Sequence, residues 1–314
     1  MSKVVVLAGG VGGAKMVQGF ADVCSPSDLK VIGNVADDWE FHGLWVSPDI
    51  DTITYTLAEL IDTDKGWGVK EETFRALFVL DKLGHDTWMQ LGDQDLGLHI
   101  YRTFRRNAGD RPSDIARDIA NSLGVNIDLI LPTDDPLHTR INTPNGSMAF
   151  QEYFVRDKCK PVVNSISILG QEEAKLTPEA MIAIENASLI VIAPSNPIVS
   201  IGPILSINGL RQAIVESSAL CVAVSPLVGG RAIKGPAAQM MTSLGHRPDA
   251  VGVTELYNDI IDAIVIDYID EGLISTIESY NCCVWVEKTI MNDRKDKKDL
   301  ARAILDRAHG KGPS

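Results

Sequence analysis

Lys3-Val4-Val5-Val6-Leu7-Ala8-Gly9-Gly10-Val11-Gly12-Gly13-Ala14-Lys15 is the stretch from which the fold is read. Residues Lys3 to Leu7 predict a buried parallel strand, because a continuous apolar run suits a strand covered on both faces. The glycines then turn the chain into a helix that runs to about Val23. Strand, glycine turn and helix form an arrangement that cradles anions. The amides of Gly10, Gly12 and Gly13 and the positive end of the helix dipole face a phosphate. The loop lacks the Gly-Lys-Ser/Thr ending of a Walker A motif, and Lys15 stands where a dinucleotide fingerprint has its third glycine. A tight strand–helix turn with no ligand is the structural alternative.

The next apolar run, Leu29 to Ile32, predicts a second strand. It empties into Asn34 to Thr52, which holds the acidic pairs Asp37/Asp38 and Asp49/Asp51 with Trp39, Trp45 and His42 between them. Carboxylates at a strand end suit a hard cation such as Mg²⁺, which takes oxygen ligands and often only one or two carboxylates plus phosphate. The other reading is a solvated loop, with Asp51 as the N-cap of a helix starting at Asp51 or Thr52.

Further runs predict strands at Asp128 to Pro132, Leu189 to Ala193, Cys221 to Val224, Ile264 to Ile266 and Val284 to Val286. Helices are expected at Thr52–Ile61 and Glu71–Leu83 and again after Leu96, with hairpin strands at His138–Thr143 and Ser147–Phe154. On the helix after Leu96, Arg102 and Arg106 share a face. They either meet an anion or form a solvated surface, and the local pattern favours the second. His99 lies on the same helix; a lone helix histidine is more often structural than a general base. The expected architecture is α/β: a Rossmann-like, mostly parallel sheet with helices on both faces and a smaller inserted α+β subdomain. The core would comprise residues 1–64 and 176–314, and the insertion about 65–175.

Five polar or glycine-rich loops follow strands, at Gly9, Asp37, Asp134, Ser195 and Gly229. Ligands of an open parallel sheet bind beyond the carboxyl ends of its strands, so these loops should converge on one crevice. A glycine cradle, several carboxylates, Ser195-Asn196 and the cations Arg231 and Lys234 suit phosphoryl or nucleotidyl transfer. No Gly-x-Ser-x-Gly elbow supports a hydrolase.

A net charge of −13 argues against nucleic-acid or anionic-membrane binding, since no cationic excess exists to neutralise phosphates. The N-terminal apolar run is too short for a signal peptide, and no apolar stretch approaches membrane-spanning length. Five cysteines without a C-x-x-C pair read as a reduced, cytoplasmic protein without a zinc site.

Several segments together resemble the CofD/FbiA family, the phospholactate-type transferases of coenzyme F420 biosynthesis. They are Ala8 to Lys15, Asn34 to Asp38 with Ser47 to Thr52, Gly66-Trp67-Gly68, Leu91 to Leu96 with His99, Thr133 to Pro136, Ala193 to Pro197 with Ser200 to Leu205, and Ser225-Pro226 with Lys234-Gly235. The resemblance implies a Mg²⁺-dependent homodimer that moves a phospho-three-carbon-acid group from a GDP-activated donor to the terminal hydroxyl of the deazaflavin Fo, releasing GMP. It places Asp38, Asp49 and Asp51 at the metal and in catalysis. It places Gly10, Gly12, Gly13, Lys15, Asp93, His99, Ser195, Asn196, Ser225 and Lys234 around the substrates. Gln94 departs from the Arg that the family often carries, which leaves the donor's acid open. The sister YvcK-like regulators, which bind nucleotides or nucleotide sugars without catalysis, share the glycine loop and Val35-Ala36-Asp37-Asp38 but resemble the chain less from Trp39 on. An NAD(P) oxidoreductase is disfavoured by Lys15 and by the lack of an acidic residue closing the second strand.

Overall fold

A computed structural model describes residues 3–233 and 235–310. Its central sheet has seven strands, β1 Val4–Ala8, β2 Leu29–Gly33, β3 Asp128–Ile130, β4 Leu189–Ile192, β5 Leu220–Val224, β6 Ala263–Ile266 and β7 Cys283–Val286. All pairs are parallel, in the order β7-β6-β5-β4-β1-β2-β3. The expected α/β sheet is thus the one the chain builds, and its strands coincide with the apolar runs.

Successive strand residues face opposite ways, so a valine-rich strand feeds two cores. Val4, Val6 and Ala8 pack with Val17 and Phe20 of helix α1 (Gly10–Ala21), Ile50 and Ile53 of α2 (Pro48–Leu57) and Leu300 of the helix Arg294–Ala308. Val5 and Leu7 face the other layer with Ala180, Ile184, Leu210 and Val251. Each fully buried Val or Leu contributes roughly 1.5–3 kcal/mol relative to exposure. Strand order reverses between β1 and β4, so the loops leaving these two strands diverge and open a crevice at the sheet's carboxyl edge.

Residues 65–175 contribute helices α3 (Arg75–Lys82), α4 (Asp93–Asn107) and α5 (Pro112–Ser122). They also supply the edge strand β3, through Ile130 opposite Ile32, and a separate antiparallel sheet with His138–Thr143 between Gly146–Ala149 and Ser165–Leu169.

Four local expectations change. The segment 34–52 is not all loop: Trp39–Phe41 pairs with Leu44–Val46 across a turn in which His42 (φ 53°) and Gly43 (φ 75°) are both left-handed, the geometry of a tight hairpin. α2 begins at Pro48, where the missing N–H costs nothing, so Asp51 lies in the first turn and is not the N-cap. α3 starts at Arg75, four residues later than expected, because Glu71 is left-handed and Asp93 accepts from the amides of Arg75 and Ala76. The second hairpin strand ends at Ala149, whose amide donates to Glu152 at the start of a helical turn. Among the described residues no helix is long and apolar enough to cross a membrane.

Candidate active site

The glycine turn after β1 meets the loop after β4. Ser195 fastens them: its hydroxyl donates to the Gly9 carbonyl at 2.7 Å and accepts from the Gly9 amide at 3.2 Å. A Cβ on Gly12 would lie 2.2 Å from the Pro194 carbonyl, and one on Gly13 would lie 2.7 Å from Ser195 Oγ. These two glycines are demanded by the protein's own packing. Gly10 differs, because it is left-handed (φ 63°) and nothing lies within 4 Å of its Cβ direction. It is the point of the turn that faces open space.

The loop after β2 builds a buried acidic cluster against this turn. Asn34 Nδ2 donates to Asp37 at 3.2 Å, to Asp49 at 2.9 Å and to the Val199 carbonyl at 3.4 Å. Asp38 Oδ2 accepts from Ser47 Oγ at 2.7 Å and from Trp45 Nε1 at 3.1 Å. All of these partners are neutral. Asp37 Oδ1 and Asp38 Oδ1 are buried without a well-aligned hydrogen-bond partner, and the Thr139 hydroxyl, from the neighbouring sheet, lies close enough to Asp37 to favour its charged form. Burial lifts Asp38 to about 7 and Asp49 to about 6. In Asp49 the Asn34 hydrogen bond and the Gly10 amide pull the other way. Burial, with Asp49 and Asp38 close by, pushes Asp37 well above the carboxylate range. Three carboxyls buried close together resist ionisation.

Asp51 is held differently. Both of its oxygens accept from the Arg102 guanidinium, and Arg102 is only 4% exposed. Burial works against the Arg102 charge, and Asp51 outweighs it. Arg102 Nη1 also lies 3.1 Å from His99 Nδ1 and donates to the Trp45 carbonyl at 3.4 Å. His99 Nε2 faces Asp95 Oδ1 at 3.3 Å without the alignment of a hydrogen bond. Tyr55 donates to that same Asp95 oxygen at 2.5 Å. Burial pushes Asp95 up, but His99, Tyr55 and Arg102 hold it below its usual value. The chain Tyr55–Asp95–His99–Arg102–Asp51 therefore ties α2 to α4.

Arg102, taken from its local pattern for a solvated residue, is thus a buried partner. Arg106, one turn on, lies over the Trp45 ring at 3.8 Å. Asn34, Arg102, Asp95 and Tyr55 are site residues that sequence reasoning missed. The one cue was the shared face of Arg102 and Arg106, because nothing local links Arg102 to a carboxylate 51 residues away.

Among the described residues, one set of side chains brings three possible metal ligands within 4.8 Å of one another: Asp51, Asp95 and His99. Neither Asp38, Asp49 and Asp51 nor Asp37, Asp38 and Asp49 form such a set among the described residues. Arg102 already hydrogen-bonds two members of the first set.

The remaining expected residues are scattered in role. Asp93 accepts from Thr73 and the amides of Arg75 and Ala76, capping α3, while Glu72 accepts from the amides of Gln94 and Asp95 and caps α4 in return. Asn196 Oδ1 accepts from the Ile198 amide at 2.9 Å and the Val199 amide at 3.4 Å, shaping its own turn. Ser225 Oγ bridges the Leu227 carbonyl and amide. Lys15 Nζ donates to the Met291 carbonyl at 2.8 Å. Lys234 lies outside the described residues.

Residues 4–305 match the family model described as 2-phospho-L-lactate transferase CofD. The 2-phospho-L-lactate transferase of Methanocaldococcus jannaschii is 36% identical, over 96% of this chain and 97% of its own. Those of Methanococcus maripaludis (35%, over 97% and 98%) and Methanosarcina mazei (32%, over 96% and 99%) are similar throughout. Among solved structures, protein BH3568 of Bacillus halodurans superposes with a TM-score of 0.62 at 16% identity, over 97% of this chain and 99% of its own. A second structure of that protein, described as a member of the upf0052 family, gives the same score. At that identity the likeness concerns the fold. The full-length family match and the relatives' identities settle membership: the chain belongs to the CofD family of 2-phospho-L-lactate transferases and is a transferase of coenzyme F420 biosynthesis.

Proposed function

We propose that the protein transfers a phospho-three-carbon-acid group from a GDP-activated donor to the terminal hydroxyl of the deazaflavin Fo, in a Mg²⁺-dependent reaction. The acceptor oxygen bonds to the phosphorus that carries the acid, the bond from that phosphorus to the GMP oxygen breaks, and the hydroxyl proton passes to solvent. The observation that carries this reading is the buried cluster of Asp37, Asp38 and Asp49 beside the open glycine turn at the sheet's switch point.

The cluster suits Mg²⁺. Its donors are all oxygen, and two of its carboxylate oxygens have no well-aligned partner. Mg²⁺ also needs only one or two carboxylates when phosphates complete its shell. Asp38 and Asp49, with Asp37, would hold it. Asp51 was expected among the ligands, but the Arg102 guanidinium on both of its oxygens supports leaving it out. The Asp51, Asp95 and His99 set suits Mg²⁺ less, because it contains a nitrogen ligand and already receives Arg102. The chemistry the ion supplies is neutralisation of charge on the phosphates.

The protein's own groups then have separable tasks. The turn at Gly10 receives the donor phosphates, with α1 contributing its positive end. Ser195 keeps the two sides of the crevice in register. The Fo ring sits on apolar walls away from the phosphate site, where the 194–203 loop is a candidate. Five unpaired cysteines support a reducing, cytoplasmic setting. Exposed Phe78, Ile100 and Phe104 on α3 and α4, with Leu83 just past the end of α3, support homodimer formation.

Incubation with Fo and GDP-activated phospholactate, phosphoenolpyruvate or phosphoglycerate, followed by mass spectrometry, tests the reading. An F420-0-type product from at least one donor, dependent on Mg²⁺, is the expected result. Nucleotide binding without product from any donor would refute it and favour a binding protein.

A further inference from the structure

We propose that His99 is a positioning residue. With its hydrogen on Nε2, it accepts at Nδ1 from Arg102 and so holds the Arg102 fork on Asp51. Three observations lead there. Arg102 has only donors, so a nitrogen 3.1 Å from its Nη1 must accept, which leaves His99 Nδ1 without a hydrogen. The remaining ring proton is then on Nε2, which faces the Asp95 carboxylate at 3.3 Å. Asp95 is in turn fixed by the Tyr55 hydroxyl, on the same helix as Asp51 and one turn along it.

The two other roles open to a buried histidine are thereby closed. His99 cannot take a substrate proton at Nδ1, where Arg102 already occupies the lone pair, and its Nε2 carries a hydrogen. To serve as a metal ligand it would have to give up either the Arg102 contact at Nδ1 or the hydrogen on Nε2. A buried Arg–Asp pair pays off only with excellent geometry and satisfied neighbours. His99 supplies one such neighbour, and without it the fork loses one of its three anchors at Nη1. Asp51 would no longer be held at a fixed place near Asp38.

The kinetic part of the test rests on the transfer reading above; the spectroscopic part does not. ¹⁵N NMR of the imidazoles of the full chain is expected to show His99 with a hydrogen on Nε2 and an unprotonated Nδ1, the signal being assigned by its loss in His99→Asn. In the transfer assay, His99→Leu should lower kcat about tenfold or more, in line with the loss of a group that orients a site residue. His99→Asn, whose side-chain oxygen can accept where Nδ1 does, should return kcat to within about threefold of the original. The Mg²⁺ dependence should be the same in all three proteins. A hydrogen on Nδ1 of His99 would overturn the proposal. So would a folded His99→Leu with unchanged kcat, or one whose Mg²⁺ requirement rises about tenfold, the mark of a ligand. If His99→Leu does not fold, the wild-type spectrum and His99→Asn kinetics decide. If the wild type transfers nothing, the function reading falls, while the spectrum still tests the tautomer.

Discussion

Replacing Asp38 by Asn should stabilise the metal-free protein at pH 8 and do nothing of the kind at pH 5. Asp38 is 8% exposed, and burial raises its carboxyl from 3.8 to about 7. A group whose folded value is raised gives stability that is present below about pH 4 and lost as the pH climbs through about 7. At pH 8 the charged, buried Asp38 thus works against folding. Three units at 1.36 kcal/mol each put this at about 4 kcal/mol. Asn keeps an oxygen for Ser47 and Trp45 and places an amide at the position of the unpartnered Oδ1. That unpaired amide costs about 1–3 kcal/mol, leaving a net gain of about 1–3 kcal/mol. For a chain of this size the gain corresponds to a Tm rise of about 2–6 °C. At pH 5 wild-type Asp38 is mostly protonated, so the gain should vanish. Mg²⁺ should raise the wild-type Tm at pH 8 and leave the variant nearly unmoved, because a ligand stabilises the fold only where it binds. Thermal melts at both pH values, with and without Mg²⁺, are the assay. An Asn variant that melts lower than wild type at pH 8, or that keeps the full Mg²⁺ shift, would refute the reasoning.

Other outcomes are expected elsewhere in the site. Gly12→Ala should lose about 1–3 kcal/mol in a denaturant melt, because its Cβ meets the Pro194 carbonyl. Gly10→Ala faces no such clash and should lose only the left-handed penalty of about 1–2 kcal/mol, so calorimetry with GDP on this variant is the cleaner probe of the turn. Arg102→Ala should cost about 3–5 kcal/mol of stability, since it leaves the buried Asp51 carboxyl without its partner, and Arg102→Lys should recover only part because it lacks the fork. Asn196→Ala should lose about 1 kcal/mol from its turn, and fluorescence titration with Fo will show whether acceptor affinity falls beyond that.

The sheet was legible because each strand is a short apolar run, and the runs in the middle of the sheet are buried on both faces. The five loops were legible as a set because a parallel sheet sends them to one edge. What escaped was pairing over distance. Ser195 and Gly9 lie 186 residues apart, and Asp51 and Arg102 lie 51 apart; no periodicity or turn signal links either pair. The role of the glycines was also hidden. A glycine needed to admit phosphate and one needed to admit a Pro194 carbonyl read alike in one dimension. Asp93 shows the same ambiguity, since an acid at a loop–helix junction serves as a cap as readily as a ligand.

Phosphorus NMR of a single reaction mixture tests the central claim most directly. With Fo, a GDP-activated phospho-acid and Mg²⁺, the donor's diphosphate signals should give way to one phosphodiester and one GMP resonance in equal amounts, and chelating the metal should stop the conversion. Donor signals that persist unchanged at enzyme concentrations sufficient to bind all the nucleotide, or turnover that continues after chelation, would contradict it.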